Sequence, residues 1–496
     1  MYFKLSSGIE IPIEMHKARM VQKILLPPAE RRLAAIEEAG YNTFQLRTQD
    51  VFLDMLTDSG TNAMSDNQFA AMMRTDDAYA GSMTFYEFAD AVRDVLGFRH
   101  VMNVHQGRAA EHLLTKVFAK PGAVIPTNYH FTTTKAHIEL TGAVCLELYA
   151  DEALKTESTC PFKGNMDPQR LRETIRQYGP DKIAFVRMEA TANLLGGQPF
   201  SLGNLREIAS ICNDHGILTV LDGSLICENA YLIRERELGY QQKTVAEIVK
   251  EICSLVRLFY MSGRKNTSVR GGFIATNERN LFEKIQPWLP VYEGFFTYGG
   301  MSQREIAAMA TGLREMVDPE VAGCAVEQIR YFVKRAVENG IPVVTPAGGL
   351  ACHLDAKKFI PHVAQSQYPA GALTTALYLA SGIRSMERGT ISMDRDKDGN
   401  EVFADLELTR IALPRRVYSV SHIEYAVDRI CWLYRHRELI KGLRFVFEPP
   451  VLRFFLGKLE SLENWGSDLC RICKEELPEP TAPVPQELHE PALQHA

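Results

Sequence analysis

The chain has 496 residues, of which 46% are hydrophobic, 23% charged and 9% aromatic, and its formal net charge is −6. This length allows two or three domains with a large core, and the negative charge argues against nucleic acid or an anionic membrane as the main partner. No apolar stretch approaches the ~20 residues that cross a bilayer, and the first residues lack the pattern of a signal peptide. We therefore expect a cytoplasmic globular protein with ten mainly reduced cysteines.

The first hundred residues combine an extended arm with two predicted helices, at about residues 28–39 and 85–96. Between the helices lie two stretches of small polar residues, 56–66 and 75–82, the second of which contains aromatic residues. Loops of this composition expose hydroxyls and backbone amides, which suits ligand binding and equally suits a plain turn.

A possible anion site follows at His105-Gln106-Gly107-Arg108, directly before a clear helix start. Glycine lets the backbone approach an anion, the free N–H groups and the helix dipole favour phosphate, and Arg108 adds a charge-assisted contact. Because many helices begin with glycine and carry an arginine, this motif alone does not establish a phosphate site.

From about residue 121 to 275, short apolar runs alternate with amphipathic helices. Strands are predicted at residues 123–126, 143–146, 183–186 and 218–221, and one helix is predicted to begin after Ser201 as N-cap. Alternation of this kind predicts a mostly parallel sheet covered on both faces. In such sheets, ligands bind at the carboxyl ends of the strands.

Two charged residues lie at predicted strand ends. Asp222 closes the strand at residues 218–221, and Lys265 follows the apolar run at residues 258–261 after a Ser-Gly pair. Taken singly, the lysine is more often a solvent-facing residue after a turn, and the aspartate a helix cap. In combination with the phosphate motif they fit pyridoxal phosphate, which presents a phosphate, a pyridinium and an aldehyde.

The pattern changes after about residue 310 and predicts a second α/β domain, with helices at about residues 302–316 and 321–339 and a strand at 341–344. Arg410, flanked by β-forming residues, is either a bidentate clamp for a carboxylate or simply ion-paired. We predict an N-terminal arm with part of the small domain at 1–56, a large cofactor-binding domain at 57–310, the small domain at 311–460 and a tail at 461–496. The tail is rich in Pro and Glu from about residue 475 and is predicted to be disordered.

From about residue 10 to 458 the sequence resembles the tyrosine phenol-lyase and tryptophanase family of pyridoxal-phosphate-dependent β-eliminating lyases. The motifs that carry the resemblance are LTDSGTNAMSD, AYAGS, HQGR, FTTT, NLLGGQP, ENAYLI, MSGRK, YEGFFTYGG, SMERG and LPRRVY. SMERG and LRFF at residues 452–455 are closer to the phenol-lyase branch. The resemblance implies a fold-type-I, aminotransferase-like α/β architecture, with a large doubly wound domain and a smaller α/β domain. It also implies a homotetramer whose active sites are shared between subunits.

The resemblance also implies roles for individual residues. Lys265 would form the Schiff base and take the α-proton, Asp222 would keep the pyridine nitrogen protonated, and Tyr79 would protonate the leaving ring. The other implied cofactor contacts are Gln106, Gly107, Arg108 and Ser262 at the phosphate, Phe131 on the ring, and Asn193. The implied substrate contacts are Thr57, Arg410, Thr132 and Arg388 as polar groups, and Met386, Phe454 and Phe455 around the ring. A monovalent-cation site, with K⁺ as the candidate ion, would include Gly60, Asp77 and Arg270.

The sequence departs from the family's pattern near the implied site. Leu225 stands where relatives carry an arginine that reaches the cofactor's 3′-oxygen, and Leu350 replaces a histidine. Arg264 and Asn266 flank the lysine where relatives have Lys and Asp, and Asp77 and Arg270 replace a Glu and an Asn at the cation site. Loss of the arginine removes positive charge beside the cofactor and is expected to alter protonation there.

The leading functional hypothesis is β-elimination of tyrosine or a related aromatic amino acid, giving a phenol, pyruvate and ammonia. The main alternative is an enzyme of specialised metabolism with the same cofactor and a changed reaction on a tyrosine-like substrate, such as transamination or cleavage or formation of another Cβ bond. A third hypothesis is a non-catalytic oligomeric binding protein, against which the retention of Lys265, Asp222 and Arg108 argues.

Overall fold

The computed structural model describes residues 2–477. Its strands are β1 (Tyr2–Lys4), β2 (Glu10–Pro12), β3 (Leu53–Asp54), β4 (His100–Val104), β5 (Val124–Thr127), β6 (Val144–Glu147), β7 (Val186–Glu189), β8 (Thr219–Asp222), β9 (Leu258–Ser262), β10 (Gly272–Thr276), β11 (Ala351–Asp355), β12 (Ile383–Arg384), β13 (Met386–Arg388), β14 (Leu408–Ala412), β15 (Leu443–Phe447) and β16 (Lys458–Ser461).

The α-helices are α1 (Ala29–Glu38), α2 (Asp66–Met72), α3 (Met83–Leu96), α4 (Gly107–Phe118), α5 (Thr132–Leu140), α6 (Pro168–Tyr178), α7 (Leu202–Asp214), α8 (Ile226–Arg236), α9 (Val245–Ser254), α10 (Arg279–Ile285), α11 (Leu289–Tyr292), α12 (Gln303–Met316), α13 (Pro319–Glu338), α14 (Ala356–Phe359), α15 (Pro369–Ser381), α16 (Val420–Arg435), α17 (Arg453–Leu456) and α18 (Trp465–Glu476). None of these helices is both long and apolar enough to cross a bilayer.

The largest sheet has seven strands in the order β4-β10-β9-β8-β7-β5-β6. The pairs from β9 to β6 are parallel, and β10 runs antiparallel to both of its neighbours. Side chains alternate along each strand, so that Phe259 and Met261 of β9 join the core on one face while Leu258 and Tyr260 join the core on the other. The carboxyl ends of β7, β8 and β9 therefore meet at one edge, as the sequence predicts.

A smaller antiparallel sheet, in the order β11-β14-β13, belongs to the C-terminal part of the chain. The short strand β3, which lies just before residue 57, pairs with β12 and so joins the N-terminal residues to the C-terminal part of the chain. This pairing is consistent with the predicted assignment of residues 1–56 partly to a small domain. The domain limits themselves stay a prediction.

Three local predictions differ from the structure. The strand predicted at residues 183–186 lies three residues later, at β7. It continues through Arg187 and Glu189 because both side chains have partners inside the protein, Arg187 at Asp222 and Glu189 at the Asn193 N–H. The strand predicted at 341–344 is reduced to a single bridge between Val343 and Leu354, next to Pro342, which has no N–H to donate. The disorder predicted from about residue 475 starts slightly too early, because α18 continues to Glu476, and residues 478–496 of the predicted tail lie outside the described residues.

Candidate active site

A cavity of about 360 Å³ opens at the carboxyl edge of the large sheet, facing β13 and β14 of the small sheet. Its wall contains every predicted cofactor and substrate residue apart from Tyr79. These residues are Thr57, Gln106, Gly107, Arg108, Phe131, Thr132, Asn193, Asp222, Ser262, Lys265, Met386, Arg388, Arg410, Phe454 and Phe455. Side chains from both sheets therefore converge on one space.

Lys265 lies in a loop that follows β9 and is anchored on both sides. The Asn62 side-chain amide donates to the Lys265 carbonyl at 2.9 Å, and the Gly60 N–H donates to the Arg264 carbonyl at 2.9 Å. Asn266 donates to the buried Glu228 carboxylate at 2.7 Å. The lysine Nζ is held 5.2 Å from the centre of the Phe131 ring. Asn266, one of the departures from the family's pattern, thus helps to fix the loop.

The predicted phosphate site lies where α4 approaches β9. Gln106 precedes the helix in extended conformation, and no side chain caps the first N–H groups of α4. A Cβ atom on Gly107 would come within 2.8 Å of the Ser262 Cβ, so only glycine permits this approach. Arg108 and Arg264 both line the cavity, and the buried Arg264 Nε has no partner among the described residues. Free N–H donors and positive charge at a helix start suit a phosphate.

Asp222 lies at the end of β8, almost fully buried at the floor of the cavity. Its carboxylate accepts from the Arg187 guanidinium at 2.7 Å and from the Ser224 N–H at 3.0 Å. Sequence reasoning missed Arg187 and several residues of the cavity wall: Phe44, Ser59, Glu111, Thr133, Glu189, Ser224 and Tyr260. Two charged residues alternating along an apolar segment, Arg187 and Glu189, are the signal that would have pointed to a buried polar function.

Arg410 and Asn193 form one polar end of the cavity. The Arg410 guanidinium donates to the Asn193 side-chain oxygen at 2.8 Å and to the Leu56 carbonyl at 3.0 Å. Burial lowers the pKa of Arg410 to about 10, which still leaves it charged at neutral pH. Its Nε and the Asn193 Nδ2 are buried without partners among the described residues. Unpaired donors beside a buried cation fit a carboxylate ligand, and Thr57 lies in the same wall.

Arg388 and Thr132 form a second polar contact in the cavity wall. The guanidinium donates to the Thr132 hydroxyl at 3.2 Å and lies 5.4 Å from the centre of the Phe454 ring. Burial, and then the charge of Arg410, lower the pKa of Arg388 well below its usual range. Met386 and Phe455 also line the cavity. This combination of apolar surface and hydrogen-bonding groups suits an aromatic ring that carries a polar substituent.

Tyr79 lies outside the cavity within a single chain. Its side chain is 76% exposed and packs against Phe295 and Tyr298, with ring centres 6.4 and 5.3 Å away. Its predicted role as the acid for the leaving ring stays a prediction.

The residues of the predicted cation site are only partly brought together. Gly60 and Arg270 line a second cavity of about 1020 Å³ beside the lysine loop, whereas Asp77 is exposed and does not line it. Among residues 2–477, no group of three or more His, Cys, Asp or Glu side chains is arranged to hold a metal ion. The cation site also stays a prediction.

Leu225 and Leu350, the two apolar departures from the family's pattern, lie in one small cluster. They are buried with Ala351 and Ala412, and neither contributes to the cavity wall. Ala351 and Ala412 are register partners of β11 and β14. The two leucines therefore pack the seam between the large and small sheets, where a lone arginine or histidine would need a polar partner.

The groups present fit pyridoxal phosphate. An uncapped helix start with Arg108 and Arg264 matches the phosphate, Asp222 matches a protonated ring nitrogen, Phe131 offers a ring for stacking and Lys265 offers an amine. Unpaired donors on Arg264, Asn193 and Arg410 inside the cavity indicate that the site is built for an anionic ligand.

Comparison with solved structures identifies the fold class. A serine palmitoyltransferase of Sphingomonas wittichii is similar with a TM-score of 0.53 at 16% identity, over 79% of this chain and 88% of that one. A high-resolution structure of SPT with PLP is similar with a TM-score of 0.56 at 16% identity, over 80% and 90% of the two chains. The predicted fold-type-I architecture is confirmed.

Comparison with protein families and sequences identifies the family. The beta-eliminating lyase model matches residues 54–429. The tyrosine phenol-lyase of Symbiobacterium thermophilum is 45% identical over 451 residues, which cover 90% of this chain and 98% of that protein. That of Pasteurella multocida is 44% identical over 90% and 98% of the two chains, and that of Nostoc punctiforme 42% identical over 90% and 96%. The chain belongs to the beta-eliminating lyase family, as its motifs predict.

Proposed function

We propose that the protein is a pyridoxal-phosphate-dependent lyase that converts tyrosine and water into phenol, pyruvate and ammonia. The observation that carries this proposal is the arrangement of two polar contacts in one cavity with Lys265. Arg410 and Asn193 suit the carboxylate of an amino acid, and Arg388 and Thr132 suit the hydroxyl of its ring. Relatives named tyrosine phenol-lyase, similar over nearly their full length, support the same activity.

The chemistry assigned to the chain's own residues follows from this arrangement. When bound, the cofactor supplies an electron sink for the α-carbon of the substrate. Arg410 holds the carboxylate, the Lys265 amine takes the α-proton, and Asp222 keeps the ring nitrogen protonated. Thr132 and Arg388 hold the phenolic hydroxyl, and Tyr79 gives a proton to the ring carbon as its bond to Cβ breaks. Phenol leaves with that proton, and water supplies the keto oxygen of pyruvate as ammonia is released.

The proposal is tested by product analysis of the purified, cofactor-loaded protein incubated with tyrosine. We expect phenol, pyruvate and ammonia in equal amounts. Formation of 4-hydroxyphenylpyruvate without phenol would support the alternative of transamination, and release of no product from any aromatic amino acid would favour a binding protein. Tryptophan in a parallel incubation tests whether indole is also released, which would widen the substrate class.

Thr132→Val is expected to separate recognition of the leaving ring from chemistry at the α-carbon. The variant loses the hydroxyl that accepts from Arg388, so kcat/KM for tyrosine is expected to fall roughly tenfold or more. β-Chloroalanine, whose leaving chloride needs no contact with Thr132, is expected to react at the wild-type rate. Thr141→Val, at the other end of α5, is the matched control. Equal losses for the two substrates would contradict the role of Thr132.

The predicted homotetramer with shared active sites is part of the proposal. The exposed position of Tyr79 supports it, as do apolar residues on the N-terminal arm such as Met20, which is 72% exposed, and Val21, which is 91% exposed. A cytoplasmic location also stays a prediction.

Mixing two inactive variants, Tyr79→Phe and Lys265→Ala, tests the sharing of sites between subunits. If Tyr79 serves the site of a neighbouring subunit, hybrid oligomers contain some sites with both native residues, and activity is expected to reappear after mixing under conditions that exchange subunits. Mixing each variant with itself is the control. If hybrids form by mass spectrometry and no activity returns, the two residues do not act in a site shared between chains.

A further inference from the structure

A cluster of buried charges lies beneath the cavity at the carboxyl ends of three neighbouring strands. It consists of Arg187 and Glu189 on β7, Asp222 on β8 and Tyr260 on β9. Glu189 is the register partner of Asp222, and Asp222 is the register partner of Tyr260. Because side chains alternate along a strand, Arg187 lies on the same face two residues before Glu189. All four side chains therefore share one face of the sheet.

The Arg187 guanidinium holds this cluster together. Its Nε donates to the Tyr260 hydroxyl at 2.9 Å, and its Nη2 donates to the Asp222 carboxylate at 2.7 Å. Both terminal nitrogens also lie 3.3 Å from one oxygen of Glu189. A guanidinium presents its donors to these three partners in one rigid plane, whereas the donors of an ammonium rotate about a flexible stem. Arg187 is only 1% exposed, so these contacts are made out of water.

The position of Arg187 relative to the cavity indicates how it acts. Asp222, Glu189 and Tyr260 all contribute to the cavity wall, whereas Arg187 does not. Arg187 thus lies behind the cavity wall and acts on a bound molecule through the wall residues that it contacts, of which Asp222 makes the shortest contact, at 2.7 Å. Burial raises the pKa of Glu189 to about 7, and the neighbouring Arg187 opposes this effect. Without a cation in this place, the pKa of the buried Glu189 would rise further.

We propose that Arg187 is a positioning residue that orients the Asp222 carboxylate for the cofactor's ring nitrogen, and that Glu189 balances the charge of Arg187. The inference rests on the proposed function, since it takes pyridoxal phosphate as the bound group. One Asp222 oxygen accepts from Arg187 and the other from the Ser224 N–H, which fixes the plane of the carboxylate. Its remaining lone pairs are free to accept from a protonated nitrogen.

A binding experiment with two cofactors separates this role from a merely structural one. The full-length protein, freed of cofactor, is titrated with pyridoxal phosphate and with its deaza analogue, in which carbon replaces the ring nitrogen. The analogue keeps the phosphate and the aldehyde and loses only the contact with Asp222. Wild-type protein is expected to bind pyridoxal phosphate roughly tenfold to a hundredfold more tightly than the analogue, as one charge-assisted hydrogen bond predicts.

Arg187→Met is expected to lose most of this preference while still binding the analogue as wild type does. Arg187→Met leaves the buried Glu189 carboxylate without its cation. The double variant Arg187→Met with Glu189→Gln removes that unpaired charge as well, and its affinities for the two cofactors are compared in the same way. Arg187→Lys keeps a charge in the cluster without the fork, and its preference is expected to lie between those of wild type and Arg187→Met. Arg257→Met is the matched control, since Arg257 pairs with Glu278 beside the start of β9, at the opposite edge of the sheet.

The outcomes distinguish the inference from its alternatives. Equal weakening of both cofactors in the Arg187 variants, or an unchanged preference in those that fold, would overturn the positioning role. A wild-type protein that prefers pyridoxal phosphate and yields no phenol from tyrosine would contradict the proposed function and leave this inference intact. A wild-type protein that forms phenol and binds both cofactors equally well would overturn this inference and leave the proposed function intact.

Discussion

Lys265→Ala is expected to lower the rate of phenol release from tyrosine by roughly 10²- to 10⁴-fold or more, because it removes the proposed base for the α-proton. The same change removes the amine that binds the cofactor covalently, so we expect the cofactor to be lost on gel filtration. The substitution removes a half-buried side chain that lines an open cavity, and the loop keeps its backbone contacts to Asn62 and Gly60. The protein is therefore expected to fold normally.

Lys250→Ala, at an exposed position of α9, is the control for the general effect of losing a lysine. Circular dichroism and thermal unfolding establish whether the Lys265 variant is folded. A folded Lys265→Ala protein that releases phenol at the wild-type rate would contradict the assignment of the base.

Arg410→Met is expected to reduce kcat/KM for tyrosine by roughly 10²- to 10⁴-fold. Two charge-assisted hydrogen bonds to a carboxylate are worth about 1.5–3 kcal/mol each, and about 1.4 kcal/mol corresponds to a factor of ten. Because the carboxylate is held before and during the reaction, most of the loss is expected in KM. Steady-state kinetics with tyrosine measure kcat and KM separately.

Two further variants serve as comparisons for Arg410→Met. Arg410→Lys keeps the charge and is expected to recover part of the loss, whereas Arg304→Gln, on the exposed side of α12, is expected to behave as wild type. A large fall in kcat with KM unchanged in Arg410→Met would indicate that the arginine acts on a later step and not as a carboxylate clamp.

The residues proposed to bind the cofactor could be found in the sequence because each belongs to a local pattern. A helix start with Gly107, a strand-end Asp222 and a strand-end Lys265 can each be recognised from a few neighbouring residues. Parallel strands then bring their carboxyl ends to one edge of the sheet, and the structure places all three residues in one cavity. The family and the fold class could also be predicted, since the motifs that identify them are each continuous in sequence.

Features that depend on contacts between distant segments were not predictable. Because Arg187 and Glu189 are charged, the sequence pattern predicts that the strand ends before them. Asp222 and Tyr260, which hydrogen-bond to Arg187, are distant in sequence, and only the fold shows that they lie beside it. Leu225 and Leu350 were each identified as a loss of a polar group, yet they pack together with Ala351 and Ala412. A pair of residues 125 positions apart in sequence carries no local sign of that contact. Tyr79 lies outside the cavity of a single chain, so its role stays a prediction.

The central claim is that Lys265 carries the cofactor, and borohydride reduction of the loaded protein followed by peptide mapping tests it most directly. Reduction makes the bond between lysine and cofactor permanent, and tandem mass spectrometry then locates the added mass. We expect the label on Lys265 alone, with no label in Lys265→Ala. A label on another lysine, such as the buried Lys163, or no label on wild-type protein that has bound the cofactor, would contradict it.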